Sequence, residues 1–168
     1  MSKIKSYHVG VAAEAIAAAQ FSRLGLDVSV QYGANQPEYD LIVGRGPQLL
    51  KVSVKGSQDG KWGLTQKYLS NADYHAATQA WLGAHNPKTV FCLVQFKGVA
   101  LNEMPRVYVA RPQEIAERLH ATARGRGETI LYEDHVWSTT AHAAGDCERI
   151  PSDWIVSAGR MEESLRGA

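Results

Sequence analysis

Two adjacent stretches carry the clearest hydrophobic patterning in the chain: Tyr39-Asp40-Leu41-Ile42-Val43 and Gln48-Leu49-Leu50-Lys51-Val52-Ser53-Val54-Lys55. The Gly-Arg-Gly-Pro between them is turn chemistry, so the pair predicts a β-hairpin. Side chains alternate along a strand. Leu50, Val52 and Val54 therefore face one way, and Leu49, Lys51, Ser53 and Lys55 the other. Upstream, residues 8–24 carry an alanine-rich helical pattern. Val9, Ala13, Ile16, Ala17, Phe21 and Leu24 fall on one face, and Gly25 is the expected stop. Residues 26–32 alternate as a strand, and 33–37 read as loop.

Beyond the hairpin, residues 56–63 are polar and glycine-containing and predict a loop. A helix is expected over 71–82 with Asn71 as its cap, and an apolar central strand over 89–96. A short strand follows at 106–110. Pro112 opens a helix to residue 121, with Glu114 in its first turn. A strand over 129–132, a turn at 150–154 and a helix over 157–165 complete the chain. This order predicts a mixed α/β fold, with an antiparallel start and a later crossover, as a single domain over residues 1–168.

The length of 168 residues suits one sizeable core, and 45% hydrophobic with 21% charged residues is ordinary globular composition. With 18 Lys+Arg against 17 Asp+Glu, the net charge of +1 does not announce a nucleic-acid binder, so such a role needs a local basic surface. The first residues are polar and charged, no apolar run approaches a membrane span, and a reducing cytoplasm is the expected location. Cys92 lies in an apolar run and reads as a buried thiol. His135, His142 and Cys147 have His-x6-His-x4-Cys spacing, which is not a zinc pattern and lacks a fourth ligand. There is no glycine-rich phosphate loop and no Gly-x-Ser-x-Gly.

The hairpin brings a carboxylate, Asp40, near the start of one arm and an amine, Lys55, near the end of the next. Meeting at one end of a sheet, they suit metal-assisted chemistry on a phosphate. Glu14 is the one acid of the first helix. A helix with one Glu, a strand carrying Asp, and a strand ending hydrophobic-x-hydrophobic-Lys resembles the PD-(D/E)XK nuclease superfamily. The likeness is greatest to Holliday-junction-resolvase-like and homing-endonuclease-like members, and it spans residues 8–58. The helix glutamate matches Glu14, the aspartate Asp40, and the (D/E)XK element Ser53-Val54-Lys55.

The resemblance implies a restriction-endonuclease-like core, a central mixed β-sheet flanked by helices. It also implies an endonuclease that hydrolyses DNA with Mg²⁺ or Mn²⁺. Asp40, Glu14 and Lys55 would be catalytic. Asp40, the Val54 carbonyl, Glu14 and, weakly, the Ser53 hydroxyl would hold the metal. Tyr39 replaces the family's Pro, and Ser53 its second acid. Mg²⁺ wants oxygen ligands in a near-octahedral shell, so losing one carboxylate predicts a weak site. Lys51, Lys61, Trp62, Gln66, Lys67, Arg124 and Arg126 are candidate nucleic-acid contacts, because interleaved basic and aromatic groups hold a backbone and stack on bases. Gln58 and Gln66 either bind water or phosphate or are plain surface groups. DNA is the expected partner, and a homodimer would suit cutting of both strands. The alternative is a catalytically degenerate nuclease-fold module that binds nucleic acid or a protein.

Overall fold

The computed structural model describes residues 4–31, 38–138 and 142–167. In chain order the elements are α1 (Ser6–Arg23), β1 (Asp27–Val30), β2 (Leu41–Arg45), β3 (Gln48–Ser57), β4 (Lys61–Gly63), α2 (Tyr74–Gly83), β5 (Val90–Gln95), β6 (Arg106–Ala110), α3 (Pro112–Ala121), β7 (Ile130–Tyr132), β8 (Asp134–Val136), β9 (Cys147–Arg149) and α4 (Ala158–Arg166). They form two compact units. The first comprises Met1–Asp59, Lys88–Arg111 and Ser152–Ala168, and the second Gly60–Pro87 and Pro112–Pro151. The fold is mixed α/β, as the hydrophobic pattern predicts, with a central five-stranded mixed sheet and flanking helices.

The first unit holds that sheet, in the order β1-β2-β3-β5-β6. β1, β2 and β3 run antiparallel in succession, β3 and β5 are parallel, and β6 is antiparallel to β5. A parallel neighbour demands a crossover, so the chain leaves the sheet after Ser57 and returns at Val90. Every residue of β5 is buried, which explains its apolar run from Val90 to Val94. One sheet face carries Leu41, Val43, Leu50, Val52, Val54, Cys92 and Val109, which share a core with Ala13, Ala17 and Phe21 of α1 and Met161 and Leu165 of α4. Cys92 is buried there, and burial pushes its thiol far up from the ordinary range.

The second unit pairs β4 with β7, and β8 with β9, around α2 and α3. Glu148 anchors it. Its carboxylate accepts from the Arg118 guanidinium and from the Ala123 N–H at 2.9 Å. Among the described residues, no helix is long and apolar enough to cross a membrane.

Three stretches differ from the expected pattern. α2 begins at Tyr74, because Asn71 and Ala72 have φ of 51° and 58° and Asp73 supplies the cap, accepting from the Ala76 N–H at 2.9 Å. Residues 56–63 are not all loop. β3 runs on to Ser57 through its pairing with Gln95 on β5, and residues 61–63 form β4. β8 and β9 went unpredicted because each has three residues and mostly exposed side chains, which leaves no apolar alternation to read. The expected loop at 33–37, and the Tyr32 end of the preceding strand, lie outside the described residues.

Candidate active site

The stripe Val9, Ala13, Ala17 and Phe21 is buried at four-residue spacing and fixes which side of α1 faces the sheet. Glu14, next to Ala13, is half-buried at the margin of that stripe. Asp40 sits one residue before β2 and extends both ladders. Its N–H donates to the Val52 carbonyl at 2.8 Å, and its carbonyl accepts from the Gln31 N–H at 2.9 Å. Leu41 pairs with Val52, so Asp40 follows opposite Ser53. It therefore shares a strand phase with Lys51, Ser53 and Lys55.

β2 pairs with β3 only as far as Val52, whereas β3 goes on along β5 to Ser57. Among the described residues, no strand lies beside the β2-side edge of β3 past Val52. The Asp40 side chain takes up the first group there: the Val54 N–H donates to Asp40 Oδ2 at 2.6 Å. A strand residue's N–H and C=O point to the same edge, so the Val54 carbonyl leaves along that edge too. Glu14 comes to this point from α1. Burial first, and the Asp40 charge second, raise its carboxyl above the usual glutamate range, while the Lys55 charge lowers it. Glu14 is thus close enough to Asp40 and to Lys55 to feel both charges.

The donors at this edge are two carboxylates and a strand carbonyl, all hard oxygens without sulfur or imidazole. That set fits Mg²⁺ or Mn²⁺. One Asp40 oxygen is held by the Val54 N–H, which leaves Oδ1 for a cation. A cation would also offset the repulsion that Glu14 feels from Asp40. Ser53, in the same strand phase as Asp40, is 2% exposed. Among the described residues, no three of His, Cys, Asp and Glu cluster in a metal-binding arrangement.

The raised Glu14 carboxyl gives a pH prediction. The folded protein binds this proton more tightly than the unfolded chain does, so the stability it confers is full at low pH and is lost as pH rises through the raised value. Glu14→Gln should therefore melt higher than wild type at pH 7–8 in EDTA. The difference should vanish below the ordinary glutamate range. Equal melting temperatures across the whole range would contradict the coupling.

No protein-family model matches the sequence. No curated protein sequence matches it. A solved structure of Hjc, a Holliday junction resolvase from the archaeal hyperthermophile Archaeoglobus fulgidus, is similar at 16% identity, over 67% of this chain and 82% of that one, with a TM-score of 0.37. A likeness of that degree adds no weight to a functional reading, which rests on the geometry at the edge of β3.

The predicted nucleic-acid contacts fare unevenly. Lys51 is exposed on β3, with its ammonium 4.9 Å from the centre of the Tyr39 ring. Lys61, Gln66 and Lys67 are exposed in the second unit, Lys67 over the Tyr68 ring. Trp62 corrects the expectation of base stacking: it is 3% exposed, so no base reaches its face. The two arginines of the loop at 124–127 have acidic partners of their own. Arg124 makes a two-pronged pair with Asp146 at 2.7 and 2.8 Å. Arg126 pairs with Glu128 at 3.3 Å and lies over the Tyr74 and Trp137 rings. The Gln58 amide is also in use, bonding both backbone groups of Ile4. The Cys147 thiol donates to Asp134, and His135 stacks on Tyr132. The anchoring Val54 N–H has no sequence signature, since any residue but proline supplies one.

Proposed function

We propose that this protein is a metal-dependent endonuclease of the PD-(D/E)XK type that hydrolyses DNA phosphodiester bonds. The observation that supports the reading is the Asp40 carboxylate held by the Val54 N–H where β2 stops pairing with β3, with Glu14 near enough to feel the charges of Asp40 and Lys55. Asp40, Glu14 and the Val54 carbonyl would hold the cation. A bound divalent cation supplies an acidified water and polarises the phosphate. Lys55, in the same strand phase as Asp40, orients that water or stabilises negative charge developing on the phosphate. The Val54 N–H keeps the Asp40 carboxylate in one orientation, so little of its freedom is lost when a ligand arrives. Lys51 lies four residues from Lys55 on the same phase, about 13 Å along the strand, and extends the basic surface for the DNA backbone. A second copy of the chain would supply the second site needed to cut both strands.

Ser53 favours a second reading, in which the fold has lost its metal and serves as a binding module for nucleic acid or a protein. The two readings separate in a cleavage assay on linear, branched and single-stranded DNA. The nuclease reading predicts slow cutting with Mn²⁺ and slower cutting with Mg²⁺, because Mg²⁺ tolerates an imperfect shell less well. No cutting of any substrate with either metal would favour the binding module.

A further inference from the structure

Gly56 follows Lys55 in β3 and pairs in register with Val94 of β5. A glycine inside a strand weakens it and marks a close approach of another chain segment. Its backbone lies outside the left-handed region that would itself demand glycine. Space is what demands it. A Cβ built on Gly56 would lie 2.8 Å from the Val9 carbonyl oxygen, 2.9 Å from Ala13 Cβ and 2.9 Å from Val9 Cγ1. All three atoms belong to α1, and one is backbone that cannot rotate aside. Val9 and Ala13 of α1 therefore sit directly against the Gly56 backbone, with no room for a side chain between. The residues next to that contact in sequence are Glu14 on the helix and Lys55 on the strand.

The geometry points to Gly56 as a positioning residue: by letting α1 sit flush on β3, it sets the reach of Glu14 to Asp40 and Lys55. The inference rests on the nuclease reading and names what holds that site's parts in register. Ordinary contacts between carbon atoms are about 3.5–4.0 Å, so a methyl group here lifts α1 by up to about 1 Å. A misplacement of that size costs on the order of 100-fold in rate when reacting groups must align.

The test compares wild type and Gly56→Ala by crystallography and by steady-state cleavage with Mn²⁺. The expected result is a helix α1 displaced by about 1 Å at Val9 to Glu14, with kcat down about 100-fold and KM for DNA little changed. Leu165→Ala, a core truncation in α4, is the control for stability alone: it should lower the melting temperature and leave kcat unchanged. If Gly56→Ala does not fold, Ala13→Ser crowds the same contact more mildly and should shift α1 and kcat in the same direction. An α1 that does not move, or one that moves with kcat intact, overturns the proposal. A wild type that cuts no DNA would defeat the nuclease reading by itself, while the crystals would still decide whether Gly56 sets the seat of the helix.

Discussion

Asp40→Ala is expected to lower Mn²⁺-dependent cleavage by about 10³-fold or more, since a catalytic cation contributes several kcal/mol and each 1.36 kcal/mol is about tenfold. The side chain has two tasks at the β3 edge, and two substitutions separate them. Alanine removes the cation ligand and also leaves the Val54 N–H, bonded at 2.6 Å in the wild type, without its acceptor. Losing that acceptor should cost about 1–3 kcal/mol of stability. Asp40→Asn keeps an oxygen for the N–H and discards the charge, so it should melt close to wild type and yet be as inactive as alanine. Lys55→Ala should lose cleavage by about 10²–10³-fold. Equal cutting by wild type and all three variants would expose a contaminating nuclease and remove the support for an active site here.

Ser53→Glu should produce the largest change in stability, and its direction depends on metal. Ser53 is 2% exposed, in the same strand phase as Asp40 and Lys55. A carboxylate there is buried beside another carboxylate, and an uncompensated buried charge costs about 3–5 kcal/mol. For a chain of this size that lowers the melting temperature in EDTA by about 10 °C. If the rest of the site is that of a nuclease, the new carboxylate completes the oxygen set for a cation. Mn²⁺ at about 1,000 times its dissociation constant then returns about 4 kcal/mol, so the variant should regain most of the loss while wild type gains less. Cleavage with Mg²⁺ should rise as well. A drop that added metal does not reverse would leave the scaffold as a binding module.

The main sheet was largely legible in the sequence because its signals are local and redundant. The hairpin has turn residues between two apolar arms, and α1 repeats its buried residues every fourth position. The phase relation of Asp40 and Lys55 followed from strand alternation and hairpin register. Two kinds of feature stayed hidden. Short exposed strands such as β4, β8 and β9 are defined by partners far along the chain, not by any pattern of their own. Charge pairing is equally non-local: the two-pronged partner of Arg124 is Asp146, 22 residues on. Trp62 misled for a related reason, since an aromatic flanked by lysines has the same sequence whether its ring faces solvent or the core. Gly56 seemed to begin a loop because glycine is usually read as a breaker, whereas here it is a strand residue chosen for the space it leaves.

The claim that the open edge of β3 is a cation site is tested most directly by soaking crystals of the wild-type protein in Mn²⁺ and collecting anomalous diffraction. The account predicts one anomalous peak between Asp40 Oδ1, the Glu14 carboxylate and the Val54 carbonyl, at oxygen–metal distances of about 2.0–2.6 Å, and its loss in crystals of Asp40→Asn. Well-ordered crystals at saturating Mn²⁺ with no peak at that edge, or with a peak that survives Asp40→Asn, would contradict it.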